Sequence, residues 1–389
     1  MIPTNPRKES SFLSEWKGWI DVPQTPKCEG CGVSLQSINA AGPGYVPLEL
    51  FDKYENPLCQ RCFRIRHYGS HYHVVSRYYT PQMVLDRLEK CGAVFYVTDL
   101  TDLTGTLNPD FLRRLPPRAM VLLNKFDLLP RYLTASAVKK KVSELYGIEK
   151  ERLWPISTVN RYGIPGLKDL MLRDAENGFC GYVNAGKSSL INALLKNPLS
   201  EDNEELEKAT TSPYPGTTYE PVTYDGGWAR LVDVPGMENL SGICRWVDEK
   251  DRHLPGKTKR WHRKTCFIRQ ARAIFFSGLV KVEVEPEETV ILQFYFGDNV
   301  SVHETNPTRA EEIYAHHCGT LLLPPYSPKF IKTWNWETRA ASMEAGYDLC
   351  FSGLGWIYCS QGKAKMSVRF PEGLYIEKRT GFIKGTKVR

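Results

Sequence analysis

The sequence predicts an α/β core built on a mostly parallel sheet, with a small cysteine-rich module before it and a β-rich α+β region after it. Three observations predict this. Short apolar runs alternate with helical patterns from Pro81 to Val232, paired cysteines fall within the first 80 residues, and closely spaced β-type runs follow Cys244. The expected boundaries are 1–80, 81–244 and 245–389. Of the 389 residues, 42% are hydrophobic and 24% charged, which excludes a disordered chain. No apolar run approaches the roughly 18 residues that would span a bilayer.

Each element has a local reason. Met83, Val84, Leu85 and Leu88 recur at helical spacing and lead into the apolar run Ala93–Val97. A second run, Ala119–Leu123, ends at Asn124. A helix over Ala135–Tyr146 and a short strand at Leu153–Ile156 follow, then a helix at Ser188–Leu195 and a strand at Ala229–Val232. Beyond the basic stretch, Ile274–Val284, Thr289–Phe296, Tyr347–Cys359 and Ala364–Phe370 read as strands, with a helix near Thr308–His317.

Gly181-Tyr-Val-Asn-Ala-Gly186-Lys187-Ser188 fits G-x-x-x-x-G-K-[ST] and opens the helix beginning Ser189. Glycines let backbone N–H groups wrap phosphates, Lys187 supplies a point charge, and Ser188 is a Mg²⁺ ligand. Asn124-Lys125-Phe126-Asp127 follows an apolar strand. A carboxylate at Asp127 can accept N1–H and the exocyclic amine of guanine, an arrangement adenine lacks, so it selects GTP and GDP. Ser157-Thr158 sits where a loop would back that base. Asp233-Val-Pro-Gly236 fits the D-x-x-G switch, with Asp233 reaching the metal through water and the Gly236 N–H meeting the γ-phosphate. Pro215-Gly-Thr-Thr218 supplies a loop whose Thr218 completes the Mg²⁺ shell.

The base-recognition motifs precede the phosphate-binding ones. Joining the termini of a P-loop GTPase domain and cutting it in a loop preserves one nucleotide site while reordering its parts, so the order defines a circular permutation. Met237 stands where many GTPases place a water-orienting glutamine, which predicts slow intrinsic turnover. Asn184 resembles the asparagine of potassium-activated GTPases, and that likeness implies stimulation by K⁺. The strand entering the phosphate loop, Arg173–Cys180, is short and polar, and Thr158 adds bulk beside the base. A scaffold that binds without hydrolysing therefore stays open beside the GTPase reading.

Cys28-Glu-Gly-Cys31 and Cys59-Gln-Arg-Cys62 are separated by 27 residues. Four thiolates at this spacing suit a closed tetrahedral Zn²⁺ site with no open position, which argues against a metalloenzyme. Eleven cysteines, an odd number, do not read as a disulfide scaffold. The net charge of +7 is also the net charge of Arg245–Arg272, where ten Lys/Arg oppose Asp248, Glu249 and Asp251. With Arg61, Arg64 and Arg66 beside His67, Tyr68 and His71, this suits phosphate contact and base stacking on RNA. His316-His317-Cys318 reads as helix-end residues.

The two cysteine knuckles, the permuted motif order, and the stretches His303–His317, Gly319–Pro325 and Ser352–Ile357 together resemble the YqeH-type circularly permuted GTPases over nearly the whole chain. The resemblance implies a GTP-dependent factor that binds ribosomal RNA on a precursor of the small ribosomal subunit, alongside other assembly factors. Organellar members of the family point to a mitochondrion or plastid, with the bacterial cytoplasm as the alternative.

Overall fold

A computed structural model describes residues 26–28, 33–40, 44–51, 57–60, 62–63, 80–195, 221–248, 258–326 and 334–383. The first layer is a six-stranded sheet: β1 (Ala93–Asp99), β2 (Met120–Asn124), β3 (Leu153–Pro155), β4 (Glu176–Gly181), β5 (Val222–Asp225) and β6 (Arg230–Asp233). Its order is β3-β2-β1-β4-β6-β5. All neighbours are parallel except β5, which pairs antiparallel with β6 at the edge. Alternation assigns the faces. Val94, Tyr96, Val121 and Leu123 enter one apolar cluster, while Phe95, Val97 and Leu122 enter the other.

Helices cover both faces, as a parallel sheet requires. Helix α1 (Pro81–Leu88) starts at Thr80, whose side chain accepts from Met83 N, with Pro81 at the first helical position. Helix α2 (Ala135–Tyr146) is capped by Thr134 and ends at left-handed Gly147. Both pack on the first face. Helix α3 (Lys187–Leu195) and the short helix Ile164–Lys168 pack on the second.

The polar run that enters the G-x-x-x-x-G-K-S loop forms a central strand. β4 lies between β1 and β6 and is buried from Asn177 onward. Asn177 is fully buried, but its side chain donates to the carbonyls of Leu172, Ala175 and Arg230 and accepts from Leu172 N, so no desolvated group is left over. Glu176 is paired with Arg87 of α1 at 2.9 Å. Gly178 admits Leu88 and Cys91, since a Cβ there would lie 2.6 Å from Leu88 Cδ2 and 2.8 Å from Cys91 Sγ.

The C-terminal part is a pair of antiparallel five-stranded sheets. One runs β16-β13-β14-β10-β7, the other β11-β8-β9-β15-β12. Within the basic stretch, Trp261–Ile268 forms edge strand β7, and residues 249–257 lie outside the described residues. The run Ile274–Val284 splits into a hairpin, β8 (Arg272–Phe276) and β9 (Val280–Pro286), turning at left-handed Ser277. β10 (Val290–Gly297), β11 (Val302–Thr305), β12 (Trp336–Glu344), β13 (Tyr347–Phe351), β14 (Gly355–Gln361), β15 (Lys363–Pro371) and β16 (Ile376–Thr380) complete them. Helix α4 (Ala310–His317) covers Ala273 and Phe275 of β8, and the His317 carbonyl accepts three N–H bonds beyond its end.

Between the two sheets lies a core that includes Phe276, Phe294, Phe351, Ile357 and Phe370. The other side of the first sheet contributes Tyr295, Cys350, Trp356 and Tyr358 to the cluster that holds α1 and α2. That sheet is therefore apolar on both faces, which explains runs such as Trp356–Cys359. Polar links reinforce the junction: buried Arg379 of β16 lies 3.6 Å from Asp348 and donates to Tyr146 Oη at 3.0 Å, and Thr104 donates to Glu377 at 2.9 Å.

Candidate functional site

The C-terminal ends of β1, β2, β4 and β6 converge, as ligand-binding ends of open α/β sheets do. Asn124, the buried last residue of β2, donates from Nδ2 to Ala185 O of the phosphate loop at 2.8 Å. Its Oδ1 is a buried acceptor with no partner among the described residues, the kind of group a ligand satisfies. Gly186 has φ +90° and faces the same amide: a Cβ there would fall within 3.0 Å of Asn124 Nδ2. Only glycine gives both the backbone and the clearance.

Lys187 is buried at the start of α3, and its Nζ pairs with Asp233 at the end of β6. Ser188 Oγ donates to the other Asp233 oxygen at 3.2 Å. The ammonium, the hydroxyl and the carboxylate of two motifs 45 residues apart thus share one point. Gly181 and Met237 are tied by main chain (Met237 N to Gly181 O, 3.0 Å), as are Val183 and Met237 (2.8 Å), which holds Gly236 against Val183. The Met237 side chain is buried in the core. Asn184 is exposed and left-handed at φ 68°, a region asparagine tolerates well, so backbone shape gives a second reason for its presence. Ser189 is exposed in the first turn of α3.

Lys125 is also left-handed, at φ 63°, and its Nζ lies 2.5 Å from Asp99 Oδ2. Asp99 accepts in turn from the Thr101 N–H and hydroxyl. Asp99 carries no motif in the sequence. Its role comes from the β1–β2 register, which sets it opposite Asn124. Asp127 is half-buried and makes no hydrogen bond within the described protein. Ser157 is fully buried, its Oγ accepting from Val159 N and Asn160 N, which shapes the loop that carries half-buried Thr158. Phe126 N donates to Ile156 O at 3.0 Å, and the Phe126 and Tyr162 rings are 4.9 Å apart, so the Lys125–Asp127 and Ser157–Tyr162 loops are tied to each other. Thr218 lies outside the described residues.

A second group lies apart from this site. Cys28, Cys59 and Cys62 are buried with their sulfurs within 4.8 Å of one another, and Cys59 N–H donates to Cys28 Sγ at 3.1 Å. Buried thiols that close together, one already accepting a backbone N–H, fit a thiophilic ion such as Zn²⁺. Cys31 lies outside the described residues.

Residues 289–382 match the family model described as YqeH-like, C-terminal, and residues 176–295 match that described as 50S ribosome-binding GTPase. Over residues 289–382 the chain therefore carries a YqeH-like C-terminal domain. YqeH of Bacillus subtilis is 28% identical over 372 residues, which cover 92% of this chain and 99% of that protein. A protein of Oryza sativa subsp. japonica named putative nitric oxide synthase is 24% identical over 92% of this chain and 74% of its own. Human nitric oxide-associated protein 1 is 28% identical over 50% of this chain and 36% of its own. The GTPase match begins at the first residue of β4, and Asn124–Asp127 lie upstream of it, so this chain carries the N-K-x-D motif ahead of the matched unit. Among solved structures, YlqF of Thermotoga maritima aligns over 40% of the chain at 20% identity with a TM-score of 0.27.

Proposed function

We propose that this YqeH-like chain binds and slowly hydrolyses GTP and uses the nucleotide state to control its release from ribosomal RNA during small-subunit assembly. The observation that carries the nucleotide reading is the convergence of Lys187, Ser188 and Asp233 beside the Asn124–Ala185 bond. The GTPase match, described as 50S ribosome-binding, supports a ribosomal partner, and the small subunit comes from the family resemblance alone. Residues 1–80 serve as a zinc-binding module, 81–244 as the GTPase and 245–389 as the RNA-facing part. Relatives named chloroplastic, chloroplastic/mitochondrial or bacterial suit an organelle or a bacterial cytoplasm.

Phosphate draws the Lys187 ammonium from Asp233, and the backbone of Gly181–Gly186 wraps it. Mg²⁺, held by Ser188 and Thr218 with Asp233 behind a water, would neutralise charge developing on the phosphate oxygens. The Gly236 N–H donates to the terminal phosphate. Asp127 accepts from guanine while the Ser157-Thr158 loop backs the ring and Asp99 holds Lys125 in place. The buried thioether of Met237 cannot orient water, which keeps turnover slow and favours, as a second reading, binding without hydrolysis. Asn184 supports K⁺ over Na⁺ as activator, and equal rates in the two salts remove that part.

Base exchange tests the site. In Asp127→Asn the amide can donate to the C2 carbonyl of xanthine and accept its N1–H, but cannot hold the guanine amine. GTP affinity should fall by about 100-fold and XTP affinity should rise. Unchanged preference for GTP overturns the assignment. Phosphate release over many turnovers separates hydrolysis from binding alone, and crosslinking to RNA with GDP and a GTP analogue tests the RNA role.

A further inference from the structure

The segment after D-x-x-G has one end on the phosphate loop and the other in the C-terminal core. Met237 is bonded through its main chain to Gly181 and Val183. Ile243 is fully buried between the C-terminal sheets, and its N–H donates to Ser352 O at 3.1 Å. Ser241 O accepts from Tyr375 N at 2.9 Å, and Tyr375 O accepts from Ser352 N at 3.1 Å.

Asn239 stands between these anchors. Its Nδ2 donates to Gly105 O at 3.1 Å and to Ser352 Oγ at 2.8 Å, while its Oδ1 accepts from Ser241 N at 3.1 Å. One amide therefore joins the loop after β1, the segment after the switch motif, and the β13–β14 turn. The packing leaves no slack. A Cβ on Gly105 would lie within 3.0 Å of Asp102 Oδ2, Ser352 Oγ and Asn239 Nδ2, and one on Gly242 would lie 2.8 Å from the same nitrogen. A shift of Gly236 toward phosphate has two residues, Met237 and Glu238, in which to be absorbed before it reaches this amide, and the first of them is already held by the Gly181–Val183 main chain.

We infer that Asn239 is a positioning residue that makes the seating of the C-terminal sandwich depend on the bound nucleotide, through its bonds to Ser352 and Gly105. The inference rests on the GTPase reading above and names the contact that carries the nucleotide state to the RNA-facing part.

Hydrogen exchange on the full chain tests it, comparing GDP with a non-hydrolysable GTP analogue at the amides of Ile243, Ser352 and Tyr375. Coupling between two sites is commonly about 5- to 150-fold, so the wild-type rates should differ between nucleotides by at least about fivefold. Asn239→Asp keeps the shape and the acceptor for Ser241 but cannot donate, and Ser352→Ala breaks the same contact from the other side with little change in packing. Both should bind GDP as the wild type does and bring the ratio close to one. Variants that keep the wild-type ratio, or a wild type that binds both nucleotides with equal exchange at these amides, overturn the inference alone. A wild type that binds no guanine nucleotide overturns the GTPase reading and the inference with it.

Discussion

Asn124 Nδ2 donates to Ala185 O at 2.8 Å, so the first residue of the N-K-x-D motif is bonded directly to the loop proposed to face the phosphates. The two are 61 residues apart and stand in the reverse of the usual order, yet strand order β2-β1-β4 brings them together. Asn124→Ala removes the donor and leaves Ala185 O uncapped while relieving nothing. Nucleotide affinity should fall about tenfold, the scale of one buried hydrogen bond of roughly 1.4 kcal/mol. Titration with a fluorescent GDP measures it, and an affinity within twofold of wild type would show that the bond does not shape the loop.

Gly178 lies where α1 meets the central strand. Gly178→Val places methyls into Leu88 and Cys91, and overpacking of that kind costs about 1–3 kcal/mol. Urea denaturation should show a lower midpoint with an unchanged slope. A midpoint equal to wild type would mean that α1 can lift from β4 without loss.

The buried sulfurs of Cys28, Cys59 and Cys62 predict one Zn²⁺ per full chain, read by elemental analysis of the purified protein. Cys59→Ser should lose the metal and lower the unfolding temperature, as should a strong chelator on the wild type. Nucleotide affinity should be unaffected, since the cluster shares no residue with the Lys187–Asp233 site. A metal content near zero in protein kept reduced throughout refutes the zinc reading.

Stability should depend on pH through Asp102. Burial pushes its carboxyl from 3.8 up to about 7, against the N–H groups of Gly353 and Gly105 and the Lys125 charge, while Asp99 pushes the same way as burial. The folded state therefore keeps a proton that the unfolded chain gives up. Stability from this group is full below about pH 4, falls as pH rises toward 7, and is level above that. Asp102→Asn has no such slope. The unfolding free energy of the wild type minus that of Asp102→Asn should decrease between pH 4.5 and 7.5, and a constant difference would place the Asp102 carboxyl in the ordinary range.

The α/β texture, the helix Ala135–Tyr146, the phosphate loop and the permuted order were legible because each is local. A cap, a 3.6-residue period or a short motif needs no partner elsewhere. Strands β5, β12 and β16 were not, and neither was the strand character of the basic run Trp261–Ile268. A half-exposed edge strand has little apolar alternation to read and owes its state to the neighbour that pairs with it. The run before the phosphate loop reads as short and polar, and its burial is not legible there for the same reason. Its strength lies in the partners of Asn177 and in the room that Gly178 leaves for α1, none of which is adjacent in sequence.

By itself, the sequence determined which candidate groups this chain carries: a lysine and a serine proposed for phosphate and metal, an aspartate proposed for guanine, and cysteine pairs spaced for a soft ion. Tertiary structure alone decided which groups meet. It set Lys187 and Ser188 on Asp233, Asp99 behind Lys125, and Asn239 between Gly105 and Ser352. Residue type and short spacing are written along the chain, whereas these meetings follow from strand order, from register and from the packing of a β-sandwich onto an α/β layer. Those are properties of long-range pairing, and no local stretch of sequence encodes them.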